Sequence, residues 1–561
     1  MQPENILAGR YQLVKQIGKG GFGVVEQYRD LFTDALVAIK TIPSRFVDQE
    51  TKRLVREVDI MLHLYGAHPH LMSMLDLFVT RNTAAERQPS IEFDDEERQL
   101  SEVDAAEIAL NQLLISHTQS TTPMPSRDVL LREYALAMQT YANAVHNRSD
   151  LNLHIVMPLM KGDLFYFCKH MRSGQLMAVS PSFLPQVCVV FAFQVCFGLD
   201  YLHKCNVVHR DLKPDNILVW LDLENAYKST AVIADFGLAR DAHATETFYI
   251  CTRHYRPPEV ITNTSKGDTS IDVWSLGCIF FELVTARTLF NLPTALNNKG
   301  QWEGIKASQQ LEVILNTLGT PSKADVERYM PQGNAQSYLI KSRARPSVLT
   351  DSIRAHWRLG ETSTEEQEKW IDLISSCLKF FPQQRPTADQ LCAHQLFRDY
   401  NVLYGENVKQ YEPREYAPVT FPPNSQKSDL KDIVLSLVRR SISRSLDALG
   451  ARPASSVGAA EAPQDAATLA TTTVRGGLSF PALDDPILFS KFSNMLVATD
   501  GQVDDALDEV LNAMELYTHD ANVSRQLRSL LTYFAGLKQL PADEQVDEVT
   551  AAGGVTVAED L

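Results

Sequence analysis

The chain has 561 residues, 44% of them hydrophobic, and a formal net charge of −16. That length exceeds one domain, the hydrophobic fraction supports a sizeable core, and the acidic balance argues against a nucleic-acid binder. Eight cysteines without a CxxC pair exclude a disulfide or zinc framework and fit a reducing compartment, which points to the cytoplasm, with the nucleus as a further location.

The N-terminus, Met1-Gln2-Pro3-Glu4-Asn5, has neither a basic n-region nor a long apolar run. No signal peptide is expected, and with no stretch near twenty apolar residues no membrane span is expected either. Residues 11–17 and 24–28 alternate around a glycine turn and Leu36–Ile42 is a β-branched run, which predicts three strands. Asp48–Leu64 carries Leu54, Val55, Val58, Met61 and Leu62 at helical spacing. Leu71–Thr80 reads as two more short strands. Residues 81–150 break the pattern. Ile91–Glu107 is acid-rich and Ser116–Ser126 is rich in Ser, Thr and Pro, so an insertion between strands is expected, partly disordered, with an amphipathic helix over Val129–Val145. Strand character returns at Leu153–Pro158.

From 163 to 400 most segments read as helical, most clearly Phe183–Cys205, Ile271–Val284, Ser308–Leu318 and Glu365–Phe380. Another amphipathic helix is predicted over 425–446. Residues 450–476, rich in Ala, Thr, Gly and Ser, read as a flexible linker. The tail, 477–561, holds fifteen acidic against four basic side chains. Val503, Ala506, Leu507, Val510, Leu511 and Met514 line one helical face there. Leu527, Leu530, Leu531, Phe534 and Leu537 line another. Such faces suit a small helical hairpin or a partner-binding pair.

Three motifs carry chemistry. Gly18-Lys19-Gly20-Gly21-Phe22-Gly23 is a GxGxxG element followed by Val24-Val25. Strand character after it favours a β-hairpin lid over phosphates rather than a strand-to-helix dinucleotide turn. Lys40, ending Val37-Ala38-Ile39-Lys40, reaches α/β-phosphates if a carboxylate holds it, and Glu57 in the following helix is the expected partner. In His209-Arg210-Asp211-Leu212-Lys213-Pro214-Asp215-Asn216, Asp211 is expected to accept a substrate hydroxyl proton. Lys213 is expected to neutralise the transferring phosphate, and Asn216, with Asp235 of Asp235-Phe236-Gly237, to hold Mg²⁺.

These motifs, in this order, make residues 10–80 and 151–400 resemble a eukaryotic protein kinase. The resemblance implies an α+β bilobal protein kinase fold over 1–400, with a small β-rich N-lobe (1–160, insert 81–150) and a larger helical C-lobe (161–400). A C-terminal extension (401–449), the linker and a small helical C-terminal region (477–561) would follow. It also implies ATP with Mg²⁺ as cofactors and protein substrates phosphorylated on Ser or Thr. By that resemblance Ile17, Gly18, Gly20, Gly23, Val25, Ala38, Met157, Met160, Asp163 and Leu218 surround the nucleotide. Glu259 and Arg385 form a buried ion pair, and Asp272 braces the catalytic loop.

Thr247-Phe248-Tyr249 before Thr252-Arg253 has the spacing of mitogen-activated protein kinases, and Arg256 is typical of the wider CMGC group. Leu311–Pro321 and Ala417–Phe421 are similar to the insert region and C-terminal extension of that family. The resemblance implies proline-directed activity switched on by dual phosphorylation, with an upstream dual-specificity kinase and a phosphatase as partners. Arg56, Arg210 and Arg240 are expected to receive phosphorylated Thr247, and Arg253 with Arg256 phosphorylated Tyr249. Phe248, His254, Pro257 and Asp215 depart from the family pattern, and the Cdc-like kinases also carry Thr-Arg-His-Tyr-Arg. A Cdc-like or cyclin-dependent-like kinase therefore stays open as an alternative, as does a scaffold with a kinase fold. Tyr411–Glu415 resembles an acidic docking run, with its charge diluted by Arg414.

Overall fold

In a computed structural model the described residues are 6–19, 23–81, 103–113, 125–145, 150–174, 182–241, 251–264, 268–292, 295–296, 302–303, 306–360, 362–399, 411–419, 427–449, 473–474 and 478–479. The chain separates into two units, Met1–Arg452 and Pro453–Leu561. In the second unit the described residues form one short hairpin, Thr473–Val474 with Leu478–Ser479. The helices expected at 503–514 and 527–537 lie outside the described residues.

The first unit opens with strands β1 (Ile6–Leu7), β2 (Tyr11–Lys19), β3 (Val24–Asp30) and β4 (Leu36–Ile42). Helices α1 (Ser44–Gln49) and α2 (Thr51–His63) and strand β5 (Asp76–Arg81) follow. Residues 103–113 are helical (α3), and α4 (Arg127–Ala144) leads to β6 (Leu151–Pro158). These strands make one antiparallel sheet in the order β1-β2-β3-β4-β6-β5. The sheet has one more strand at its edge than the sequence suggests, and Leu71–Thr80 supplies one strand rather than two, since Leu71 makes only an isolated bridge to Ile233. The helix expected over 48–64 is two helices meeting at Glu50, whose φ of −115° and ψ of 21° are not helical.

The described parts of the insert are built into the N-lobe. Val103, Ala106 and Leu110 of α3, and Leu130, Tyr134, Met138 and Tyr141 of α4, belong to the same core as the sheet. Arg81 ties α3 to β5 through Glu107 at 2.5 Å and Asp104 at 2.6 Å. Arg10, in the turn between β1 and β2, pairs with Asp30 of β3 at 2.7 Å and lies over the Tyr134 ring of α4 at 5.0 Å.

The C-lobe is mainly helical. It begins with β7 (Gly162–Asp163), α5 (Leu164–Ser173) and α6 (Phe183–Lys204), then the short strands β8 (Val207–Val208), β9 (Ile217–Trp220), β10 (Thr230–Ile233) and β11 (Arg240–Asp241). Helices α7 (Pro258–Ile261) and α8 (Ser270–Thr285), the pair β12 (Ala295–Leu296) and β13 (Trp302–Glu303), and α9 (Ala307–Leu318) continue it. Helices α10 (Lys323–Tyr329), α11 (Asn334–Lys341), α12 (Leu349–Ala355), α13 (Thr364–Cys377), α14 (Ala388–Cys392) and α15 (Gln395–Asp399) complete it. Local signals set the ends. The Asp163 side chain caps α5 by accepting from the Tyr166 N–H, and Gly174, at φ 79°, stops it.

The apolar count of α6 corrects the sequence reading. This helix is long and apolar enough to cross a membrane by composition, yet most of it is buried within the core. A helix hydrophobic all round suits a core centre as well as a bilayer. All eight cysteines are free thiols, seven of them buried.

Helix α16 (Lys427–Ala448) returns to the N-lobe. Its buried residues Val434, Leu435, Val438 and Ile442 join the N-lobe core, and it packs against both α2 and α4.

Candidate active site

Lys40 sits on β4 in register with Val25 of β3 and Ile155 of β6. Helix α2 brings Glu57 to it, with Nζ and Oε1 2.5 Å apart. Burial alone would lower the Lys40 ammonium, but Glu57 and Asp235 outweigh it and hold the group above its ordinary value. Ala38 pairs with Met157 across β4 and β6, Gly18 with Val25 across β2 and β3, and Asp163 with Leu218 across β7 and β9. Ile17 is exposed, and Met157, Met160 and Leu218 are half-buried. Gly20 lies outside the described residues. Gly23 has a packing reason of its own: a Cβ there would collide with the Thr41 carbonyl.

The 209–216 loop hangs on Asp272, whose side chain is fully buried on α8. Its two oxygens accept the backbone N–H groups of His209 and Arg210, both at 2.8 Å, and His203 Nε2 lies 2.9 Å away. Burial would raise this carboxyl, but the His203 contact and His209 outweigh it and hold it below the ordinary carboxylate value. The His209 ring reaches the Ala234 carbonyl at 3.0 Å, which links the loop to the residue before Asp235.

Asp211 is engaged on both oxygens. Oδ1 accepts the Thr252 N–H at 2.9 Å and its hydroxyl at 2.8 Å. Oδ2 accepts Lys213 Nζ at 3.0 Å and Asn216 Nδ2 at 3.3 Å. Asn216 Nδ2 also donates to the Asp211 carbonyl at 2.8 Å, which leaves the amide oxygen as the accepting end. Asp235 holds the Gly237 N–H at 3.3 Å. Burial pushes its carboxyl up, but Lys40, His209 and Arg53 outweigh that and keep it below the usual range. Three non-glycine residues here have positive φ: Arg210 at 68°, Asp235 at 60° and Cys251 at 69°. Such conformations cost roughly 1–3 kcal/mol each and persist only when neighbouring contacts fix them. Asp272 does so for Arg210 through its N–H, Asp211 holds the Thr252 N–H next to Cys251, and the Asp235 side chain holds the Gly237 N–H. The sequence reading gave Thr252 no role, although it lies in the quoted Thr252–Arg256 run.

Arg56, Arg210 and Arg240 gather near one another. Burial, then repulsion from Arg56, Arg210 and Arg53, brings the Arg240 guanidinium down to about 10. Burial also lowers Arg210, against Cys251 and Asp272 and with Arg56 adding to the fall. Arg253 is exposed, whereas Arg256 is buried and donates to the Cys251 carbonyl at 2.8 Å. Thr247, Phe248 and Tyr249 lie outside the described residues.

Tyr255 donates its hydroxyl to Glu282 of α8 at 2.7 Å. Burial pushes the Glu282 carboxyl up to about 7 against that bond, with Asp215 adding to the rise and Arg172 and Thr288 opposing it. The native value lies above the ordinary 4.5, so the native state keeps a proton that the unfolded chain releases between these values. This contribution to stability is full below pH 4.5 and is lost as pH rises through about 7. Glu282→Gln is expected to flatten the fall of melting temperature between about pH 5 and 8. A variant as pH-sensitive as the parent over that window refutes this.

Glu259 of α7 and Arg385 form the expected ion pair at 2.6 Å, with side chains 4% and 0% exposed. Tyr411 and Tyr416 anchor the 411–416 run inward, and Glu412–Glu415 stay exposed. Tyr201 of α6 donates to the Glu412 carbonyl at 3.2 Å.

The Protein kinase domain family matches residues 11–102 and 137–397. The serine/threonine kinase NLK of Caenorhabditis briggsae is 28% identical over 399 residues, 68% of this chain and 52% of the relative's length. Mitogen-activated protein kinase 4a of Physcomitrium patens is 27% identical over 428 residues, 75% of this chain and 85% of the relative. Mitogen-activated protein kinase 3 of Oryza sativa subsp. japonica is 33% identical over 269 residues, 47% of this chain and 62% of the relative.

Proposed function

The chain belongs to the protein kinase domain family, and on that premise we propose that it transfers the ATP γ-phosphate to Ser or Thr hydroxyls of protein substrates, as a proline-directed enzyme of mitogen-activated protein kinase type. The observation that carries this reading is the assembled Lys40–Glu57 pair, within electrostatic reach of Asp235.

The donor set fits the group that protein kinase domains generally use. Asn216 and Asp235 offer one amide and one carboxylate oxygen. Among the described residues no cluster of three or more His, Cys, Asp or Glu could hold a metal. Two protein oxygens suit Mg²⁺, which keeps waters and substrate phosphate oxygens in its shell. When bound, the ion supplies charge that offsets the phosphate oxygens. The chain's own groups do the rest. Lys40, steadied by Glu57, positions the α/β-phosphates. Asp211 orients the acceptor hydroxyl and takes its proton. Lys213, 3.0 Å from Asp211, would supply the positive charge that neutralises the transferring group.

The switch reading rests on the arginines. Guanidiniums keep their protons near neutral pH, and the lowered values of Arg210 and Arg240 express burial first and repulsion between neighbouring arginines second, a strain on the charged forms that an anion relieves. Phosphate on Thr247 has the charge and the acceptor oxygens to relieve it. Arg56 precedes Glu57 on α2, so the same phosphate steadies the Lys40 partner. For phosphotyrosine 249, exposed Arg253 is the accessible receptor and buried Arg256 shapes the loop from inside.

A peptide array and an activation assay test the reading. Transfer to Ser/Thr-Pro peptides is expected, and Thr247→Ala with Tyr249→Phe is expected to abolish activation. No preference for proline after the acceptor favours another CMGC branch. Full activity in the double variant removes the switch.

A further inference from the structure

Asp59 follows Glu57 by two positions on α2, and residues two apart on an α-helix point to nearly opposite sides. Glu57 turns to Lys40, and Asp59 turns to the C-terminal segment. Each is only 4% exposed, and α2 is buried on both faces. Asp59 Oδ2 accepts the Tyr416 hydroxyl at 2.9 Å and the Val419 N–H at 3.2 Å. Its Oδ1 accepts Arg440 Nη2 of α16 at 2.6 Å.

The same segment closes the end of α2. Arg444 donates to the Leu62 carbonyl at 2.6 Å, one of the terminal carbonyls that an α-helix leaves without an internal partner. The His63 ring meets the Arg414 carbonyl at 2.8 Å. The segment is itself anchored twice. Tyr416 donates its backbone N–H to the Cys205 carbonyl at the end of α6, at 3.1 Å. Arg439 donates through Nε and Nη2 to the Ala142 carbonyl of α4, at 3.1 and 2.9 Å. Helix α16 thus lies in a slot between α2 and the insert helix.

We propose that Asp59, Tyr416 and Arg440 are positioning residues for phosphoryl transfer, holding α2 so that Glu57 meets Lys40. The proposal rests on the kinase reading above. A buried carboxylate deprived of its donors is strongly destabilised. Helix α2 escapes that penalty by turning or shifting, and either motion breaks the Lys40–Glu57 pair. The insert then has a mechanical role, as the far wall of the slot that keeps Arg440 in place.

Arg440→Gln and Tyr416→Phe, made in the full chain alone and with Glu57→Gln, test this. Arg440→Gln is expected to lower kcat about tenfold with peptide KM unchanged, and Tyr416→Phe about threefold. Amide hydrogen exchange is expected to quicken in 51–63 and to stay unchanged in α8. In the Glu57→Gln background neither change lowers kcat further, because the route through Glu57 is already cut. A general loss of stability would instead lower both backgrounds equally, and that result overturns the proposal. So does an unchanged kcat in both single variants. If the parent protein transfers no phosphate, the kinase reading falls and exchange alone decides. Quickening confined to 51–63 then supports the clamp, and unchanged exchange there removes it.

Discussion

Asp211→Asn is expected to lower kcat by about 10²–10⁴-fold, the range that a positioned general base contributes. Nucleotide affinity should change little, because Lys40 and Glu57 lie on other elements. The carboxylate accepts two donors on each oxygen: Thr252 twice on one, Lys213 and Asn216 on the other. An asparagine must turn its NH₂ toward one of these donor pairs, so it loses the base and also disturbs the hold on Thr252. Asp211→Ala removes the group without that inverted donor and is expected to fall in the same range. Steady-state kcat and KM for ATP, with a melting curve to verify folding, decide the matter. A kcat within tenfold of the parent for both variants would show that Asp211 is not the base.

Glu259→Ala is expected to cost about 3–5 kcal/mol of stability, because it strands a buried guanidinium. Arg385 spends its five N–H groups on the two Glu259 oxygens at 2.6 and 2.7 Å and on the Ser270, Lys379 and Phe380 carbonyls. It also stacks over Trp274 at 4.9 Å. Melting temperature should fall by roughly 10 °C. Removing both charges, as Glu259→Leu with Arg385→Met, is expected to cost less than either change alone, since no unpaired ion remains. A double variant worse than the sum of the singles contradicts this account.

Much of the fold was legible because its signals are local. Periodicity placed Leu36–Ile42 as it stands in β4, and placed α6, α8, α9 and α13 within a few residues of their observed ends. Lys40, Asp211, Asn216 and Asp235 could be named because each lies in a short pattern whose chemistry suggests its residue types, and Glu57 because it stands in the helix that follows Lys40. What escaped depends on partners far along the chain. Asp59 reads as a polar residue on an amphipathic helix, and nothing near it hints at Tyr416 or Arg440, 357 and 381 positions away. Glu282 lies within an apolar run, and its meaning comes from Tyr255. The insert was legible in part: the helix expected over Val129–Val145 is α4, whereas the acidic composition of Ile91–Glu107 hid the apolar face of α3, formed by Val103, Ala106 and Leu110. The break at Glu50 was missed because the apolar periodicity of 54–62 carries no information about the turn before it.

The buried course of α6 bears on how the protein is made. Its sequence is complete at Lys204, but α14, which packs against it, begins only at Ala388. At about 5–20 residues per second the ribosome needs roughly 10–40 s to add the intervening stretch. Throughout that time a 22-residue segment apolar enough to pass for a membrane span waits without its full cover. Until then its α14-facing side stays uncovered, and variants that loosen α14 should reduce the yield of folded protein before they touch its chemistry.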